Sequence, residues 1–164
     1  MKICFFCKIS DKSKLFLVEF YNQDINILKK IDSNLTIATK YREIDWSADV
    51  IFVWWWTYAF FPVFISRLLR KKLVITGTFN YKCPMAASDY YRRPLLEKLL
   101  IKYSIKYANV NILVSKNEYE QIYKDWNLKN MIYSPHCIDI IKYSRGTYCN
   151  RRNELFTICW TGKE

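Results

Sequence analysis

The residues with reactive chemistry are few and scattered. His136 is the chain's single histidine. An imidazole works as an acid or base when a partner orients it; none is near in sequence, and its place in the turn Tyr133-Ser134-Pro135-His136 argues for a structural or interdomain role. Cys4 and Cys7 have the C-x-x-C spacing of redox and zinc sites. They fall in an apolar strand, however, and no second cysteine pair or histidine cluster completes a ligand set. Buried thiols acting as small hydrophobes suit that setting better, and six cysteines kept as thiols imply a reducing compartment. Asp45 and Asp49 could pair for hydrolysis on paper, yet both precede a strand, the wrong end of a parallel sheet for a site. The three glycines, Gly77, Gly146 and Gly162, cannot make a dinucleotide fingerprint after the first strand, nor a P-loop. Metal and cofactor ligand sets are absent from the pattern.

These residues depend on a scaffold centred on Asp49 to Gly77. Val50 to Trp54 is continuously apolar and rich in β-branched and aromatic residues, as in a strand buried on both faces. Phe60 to Leu69 is long enough for a helix, with Pro62 in its first turn, where a missing N–H costs little. Leu73 to Thr76 reads as the next strand, stopped by Gly77. Strand, helix, strand is the crossover unit of a parallel α/β sheet. The rival reading is a membrane span, which needs about 20 apolar residues. This run is 16 residues long, Val50 to Ile65, before Ser66 and Arg67, with three tryptophans and a proline at its middle. Tryptophan favours membrane interfaces over a bilayer centre, so the soluble crossover is preferred.

The rest of the chain repeats the alternation. Lys2 to Ile9 is a first strand, Val18 to Ile31 a helix, and Leu35 to Thr39 a second strand, followed by a polar connection from Tyr41 to Ala48. Thr78 to Arg93 is the longest irregular stretch, of a length that is usually functional or disordered. Pro94 opens a helix to Tyr107 with an apolar stripe of Leu95, Leu96, Leu99, Leu100 and Tyr103; Lys98, Lys102 and Lys106 line another face. Asn111 to Val114 is a strand, Ser115 caps a helix from Lys116 to Trp126, and Met131 to Ser134 is a last short strand before Pro135. Lys142 to Asn153 turns polar, like a linker, and Phe156 to Trp160 is a further apolar strand. The expected fold is α/β, a Rossmann-like doubly wound parallel sheet flanked by helices.

At 164 residues the chain suits one ordinary domain, which buries roughly 70% of its unfolded surface. The net charge of +11 is uneven: from Phe64 to Lys106 there are ten Lys or Arg and two acids. Such a face meets anionic headgroups, phosphate-bearing substrates or nucleic acid, or is simply solvated. No RNA-stacking motif is present, so nucleic acid is not expected as a partner. The apolar N-terminal stretch is too short for a signal peptide, and the sequon Asn34-Leu35-Thr36 is read as incidental.

Together the segments resemble the N-terminal half of a GT-B glycosyltransferase of the family 4 type. The resemblance is carried by the opening strand KICFF, A-D-V-I-F-V at 48–53, the strand ending in VITGT, A-N-V-N-I-L-V-S at 108–115 and, most specifically, Y-S-P-H-C-I-D at 133–139. That last run is similar to the family turn of proline, asparagine or histidine, glycine, apolar residue and aspartate, with Cys137 in place of glycine. Neither the usual glycines after the first strand nor a histidine after Leu73–Ile75 is present. The resemblance implies an acceptor-side domain over 1–141, a linker over 142–153, and at 154–164 the first strand of a nucleotide-sugar-binding domain not otherwise contained in this sequence.

It further implies retaining hexosyl transfer from a nucleotide sugar to a saccharide or lipid-linked acceptor without a catalytic metal or cofactor, at the cytoplasmic side, with a peripheral place on the inner membrane face as one setting. The isolated chain would be inactive. The alternative is a non-catalytic basic module for an anionic membrane surface or nucleic acid. Ligands gather where parallel strands end, so acceptor contacts are expected from Trp55, Trp56, Thr78, Phe79, Asn80 and Tyr81. Aromatic rings there stack on sugar faces or pack against the next helix, and Asn80 bonds hydroxyls or serves a turn. Arg92, Arg93, Lys116 and His136 are the candidates for a phosphate or the interdomain cleft. Cations at a helix start are locally misplaced unless an anion is near.

Overall fold

A computed structural model describes residues 1–136. The expected domain boundary at 141, the linker and the strand after it lie outside the described residues, as does Cys137.

The core element is β1 (Ile3–Cys7), buried at every position. It pairs in parallel with β2 (Thr36–Ala38) on one side and β3 (Val50–Trp54) on the other. β4 (Lys72–Gly77), β5 (Val110–Leu113) and β6 (Met131–Tyr133) follow, giving a six-stranded, all-parallel sheet in the order β2-β1-β3-β4-β5-β6. Flanked by helices, it is a Rossmann-like α/β arrangement. The register runs evenly through the centre, from Ile3 beside Val50 to Cys7 beside Trp54.

Each face has its own core. One gathers Leu15 of α1 (Lys14–Leu17) and Tyr21, Ile25 and Leu28 of α2 (Glu19–Ile31) over Phe5, Phe52 and Trp54. The opposite face carries α3 (Phe60–Leu68), α4 (Leu95–Tyr107) and α5 (Lys116–Trp126) over Phe6, Val53, Ile75 and Leu113. Strand side chains alternate between faces, so Cys4 joins the second core and Cys7 the first. The C-x-x-C pair is thus split across the sheet and cannot chelate or bridge. Burial pushes the Cys7 thiol up to about 12, against hydrogen bonds from its surroundings.

Val50 to Leu68 is broken into β3, a 3-10 turn at Trp56–Tyr58 and α3. Among the described residues no helix is long and apolar enough to cross a membrane. The helix expected from Pro94 is present, but its leucine stripe points outward. Ile101, Ser104 and Ile105 face the core, whereas Leu95, Leu96 and Leu99 are 72%, 68% and 55% exposed. The reason is close approach: two isoleucines one turn apart flank a serine whose hydroxyl donates to Leu100 O at 2.8 Å, a small side chain that can be buried while satisfied.

Candidate functional site

In an open parallel sheet ligands collect at the carboxyl ends of the strands. Here that rim is built by the three consecutive tryptophans after Val53, each with its own partner. Trp54 donates its indole N–H to Asp24 Oδ2 at 2.9 Å, Trp55 to the Tyr21 hydroxyl at 2.9 Å, and Trp56 to Asn111 Oδ1 at 2.9 Å. Trp55 has φ +78°, in the left-handed region a bulky residue rarely adopts. That reversal lets Trp54 enter the core under α2 while Trp56 enters the opposite one. Gly77 makes room for it: with φ +133°, its added Cβ would stand 3.2 Å from the Trp55 ring.

On the α2 face, beside Trp54, a cavity of about 180 Å³ opens between α2 and the exits of β4, β5 and β6. Its polar lining is Asp24, Thr76, Ser134 and His136, set against an apolar wall that includes Phe52, Ile112 and Val114. Ligand pockets for drug-sized molecules run to about 300 Å³ or more, so this one admits a single ring. Burial pushes the Asp24 carboxyl up to about 6, opposed by the Trp54 N–H bond that favours its charged form. His136 stacks almost parallel on Trp54, at 5.7 Å and 6°, and on Phe20 at 5.7 Å. Partial burial lowers its pKa, which keeps the imidazole neutral at pH 7. The rim therefore offers a carboxyl that changes charge near neutrality, two hydroxyls and a neutral imidazole. Those groups bond hydroxyls well and diphosphates poorly.

The other sequence candidates separate into three groups. Trp56, Phe79 and Tyr81 are 2%, 3% and 2% exposed. Their faces are taken by the core, where Phe79 stacks on Tyr81 and both meet Trp126, so they are not surfaces for an acceptor. Asn80 serves a turn: at φ +54° it donates to Ser88 Oγ at 2.5 Å, and its carbonyl accepts from Tyr90 N. The stretch from Thr78 to Arg93 is held down rather than loose, because the buried Glu118 carboxylate accepts from Phe79 N and Tyr81 N. Arg93 is likewise committed, bonding Ser88 O, Thr57 Oγ1 and the Glu97 carboxylate. Trp55, half-buried, and Thr78, exposed, remain on the rim. So do Arg92, exposed, and Lys116, whose ammonium is 3.9 Å from Glu120.

Sequence reasoning missed Asp24 and Lys8. Asp24 interrupts the buried stripe of Tyr21, Ile25 and Leu28, and an acid inside an apolar helical stripe was the available signal. Lys8 is the first residue beyond β1, at the point where the chain's course across the sheet reverses. Its ammonium lies over the rings of Tyr41 and Tyr58, at 5.2 and 4.8 Å. Among the described residues no cluster of His, Cys, Asp or Glu could hold a metal ion. No protein-family model matches the chain, and no curated protein matches it.

Proposed function

We propose that this chain is the acceptor side of a glycosyltransferase, taking a saccharide or lipid-linked acceptor in the cavity beside Trp54 and working with a nucleotide-sugar donor. The reading extends to the GT-B family 4 type, with retaining hexosyl transfer on the cytoplasmic side of a membrane. The observation that carries it is the composition of the rim cavity: hydroxyl-bonding groups from Asp24, Thr76, Ser134 and His136 facing an apolar wall. A sugar ring has matching chemistry, hydroxyls around its edge and C–H groups on its faces. At neutral pH the ionised Asp24 accepts from an acceptor hydroxyl and fixes its direction, which is the positioning that transfer demands.

In the reaction the bond from the anomeric carbon to the donor diphosphate breaks, its electron pair leaving with the diphosphate. A bond to the acceptor oxygen forms, and the acceptor's proton is released. The departing charge needs cations or N–H donors. Lys8, Arg92 and Lys116 are the rim cations on this side, and a donor-binding domain would supply the rest.

The test is transfer from a panel of nucleotide sugars to saccharide and lipid-linked acceptors, with the chain alone and with a nucleotide-sugar-binding domain supplied. Transfer is expected only in the second case and should fall with Asp24→Asn. No transfer or donor hydrolysis from any donor in either case would overturn the reading.

A further inference from the structure

The outward stripe of α4 is matched by one on α3. Phe64 and Leu68 are 49% and 71% exposed, while Phe61, at 43%, also packs its ring against Tyr41 and Trp46. Both helices cover the same face of the sheet and touch through Phe60 and Tyr103, whose ring centroids are 5.2 Å apart. Their outward stripes therefore form one surface. Contiguous exposed apolar area of this kind marks a docking site.

The charges around the patch identify what docks. α3 is apolar up to Ser66 and Arg67, and α4 sets Leu95, Leu96, Leu99 and Leu100 around Glu97 and Lys98 in its first half; both helices become basic towards their ends. Beyond Phe64 come Arg67, Arg70, Lys71 and Lys72, which with Tyr107 and Asn109 line an open cavity of about 280 Å³. Beyond Leu99 come Lys102 and Lys106. The region from Phe64 to Lys106 has only two acids, Asp89 and Glu97. Asp89 is buried and accepts from Tyr91 N, while Glu97 is paired with Arg93. Neither is left to repel an anionic surface.

We infer that the α3–α4 face docks on an anionic lipid bilayer, its leucines and phenylalanines entering the headgroup boundary and its arginines and lysines meeting the phosphates. Each crossover helix runs back antiparallel to the strands, so α3 and α4 begin at the carboxyl end of the sheet and docking through their first turns brings the rim cavity to the bilayer edge. This surface is separate from the cavity and stands without the sugar-transfer reading. If that reading also holds, the acceptor is drawn from the membrane.

The experiment is sedimentation of the whole chain with sucrose-loaded vesicles of phosphatidylcholine alone or mixed with phosphatidylglycerol, at low and physiological salt. Binding is expected to the mixed vesicles only, and salt should weaken it. Leu96→Glu with Leu99→Glu should reduce it by about tenfold or more, and so should Arg67→Glu with Arg70→Glu. Lys29→Glu with Lys30→Glu, on α2 of the opposite face, should cost far less. The leucines face outward, so circular dichroism of that variant should match the parent.

Absence of binding to mixed vesicles would overturn the inference, as would equal loss from the α2 pair. Tighter binding to RNA, or a lipid-free dimer that the leucine substitutions dissolve, would also overturn it. Transfer to a water-soluble acceptor reads the sugar proposal separately and should be unchanged in the leucine variant.

Discussion

Asp24→Asn is the most informative single change, because the cavity holds its carboxylate at a cost. Burial raises its pKa from 3.8 to about 6. The folded state therefore binds more protons than the unfolded chain between those values, so stability falls as pH rises through the window. The penalty is absent below about pH 4 and complete above about pH 6. A shift of about two units sets a ceiling of about 3 kcal/mol. Residual solvent contact lowers the figure to about 1–2 kcal/mol. Asparagine keeps the shape and an oxygen for the Trp54 N–H while removing the charge. Urea unfolding of both proteins should give matching stabilities near pH 4 and a more stable variant near pH 7. The same variant should bind saccharide more weakly at neutral pH, a gain in stability bought with function. A difference that does not change with pH, or a variant less stable at neutral pH, would refute the reasoning.

Three further substitutions probe the scaffold of the rim. Asn111→Ala strands the Trp56 N–H in the core, while the Ile105 carbonyl keeps its bond from Asn130 Nδ2; thermal unfolding should report a loss of about 1–3 kcal/mol, with altered tryptophan emission. Gly77→Ala adds a Cβ at φ +133° against the Trp55 ring, and should cost about 1–3 kcal/mol in urea unfolding. Glu118→Ala releases the amides of Phe79 and Tyr81. Limited proteolysis should then cut between Thr78 and Arg93 before the sheet unfolds, and an unchanged digest would show that the stretch is anchored elsewhere.

The sheet was legible because its strands are continuous apolar runs with helical segments between them, a pattern hard to satisfy except by parallel crossovers. Val50 to Gly77 shows this best, since tryptophan at its middle and Pro62 in a first turn both argue for a break where β3 passes into α3. Helix faces were less legible. α4 has two apolar stripes, and the richer one in leucine lost because Ile101, Ser104 and Ile105 let the helix approach more closely. At the site, His136 could be found by its rarity, but Asp24 is only recognisable as a misplaced acid within a stripe. Trp56, Phe79 and Tyr81 are aromatic and stand near strand exits, the pattern of a stacking surface. Exits also need filling, and whether a ring serves the core or the rim depends on backbone reversals such as that at Trp55, which local sequence does not encode.

The chain's single histidine provides a direct test of the cavity. In tag-free protein the His136 ring C–H signals stand alone in a proton NMR spectrum, and their titration midpoint should fall below 6.5 because the imidazole is partly desolvated. Adding saccharide acceptors should shift those signals saturably, and Asp24→Asn should weaken the response. If acceptors bind while the His136 signals stay fixed, the sugar does not occupy the cavity beside Trp54.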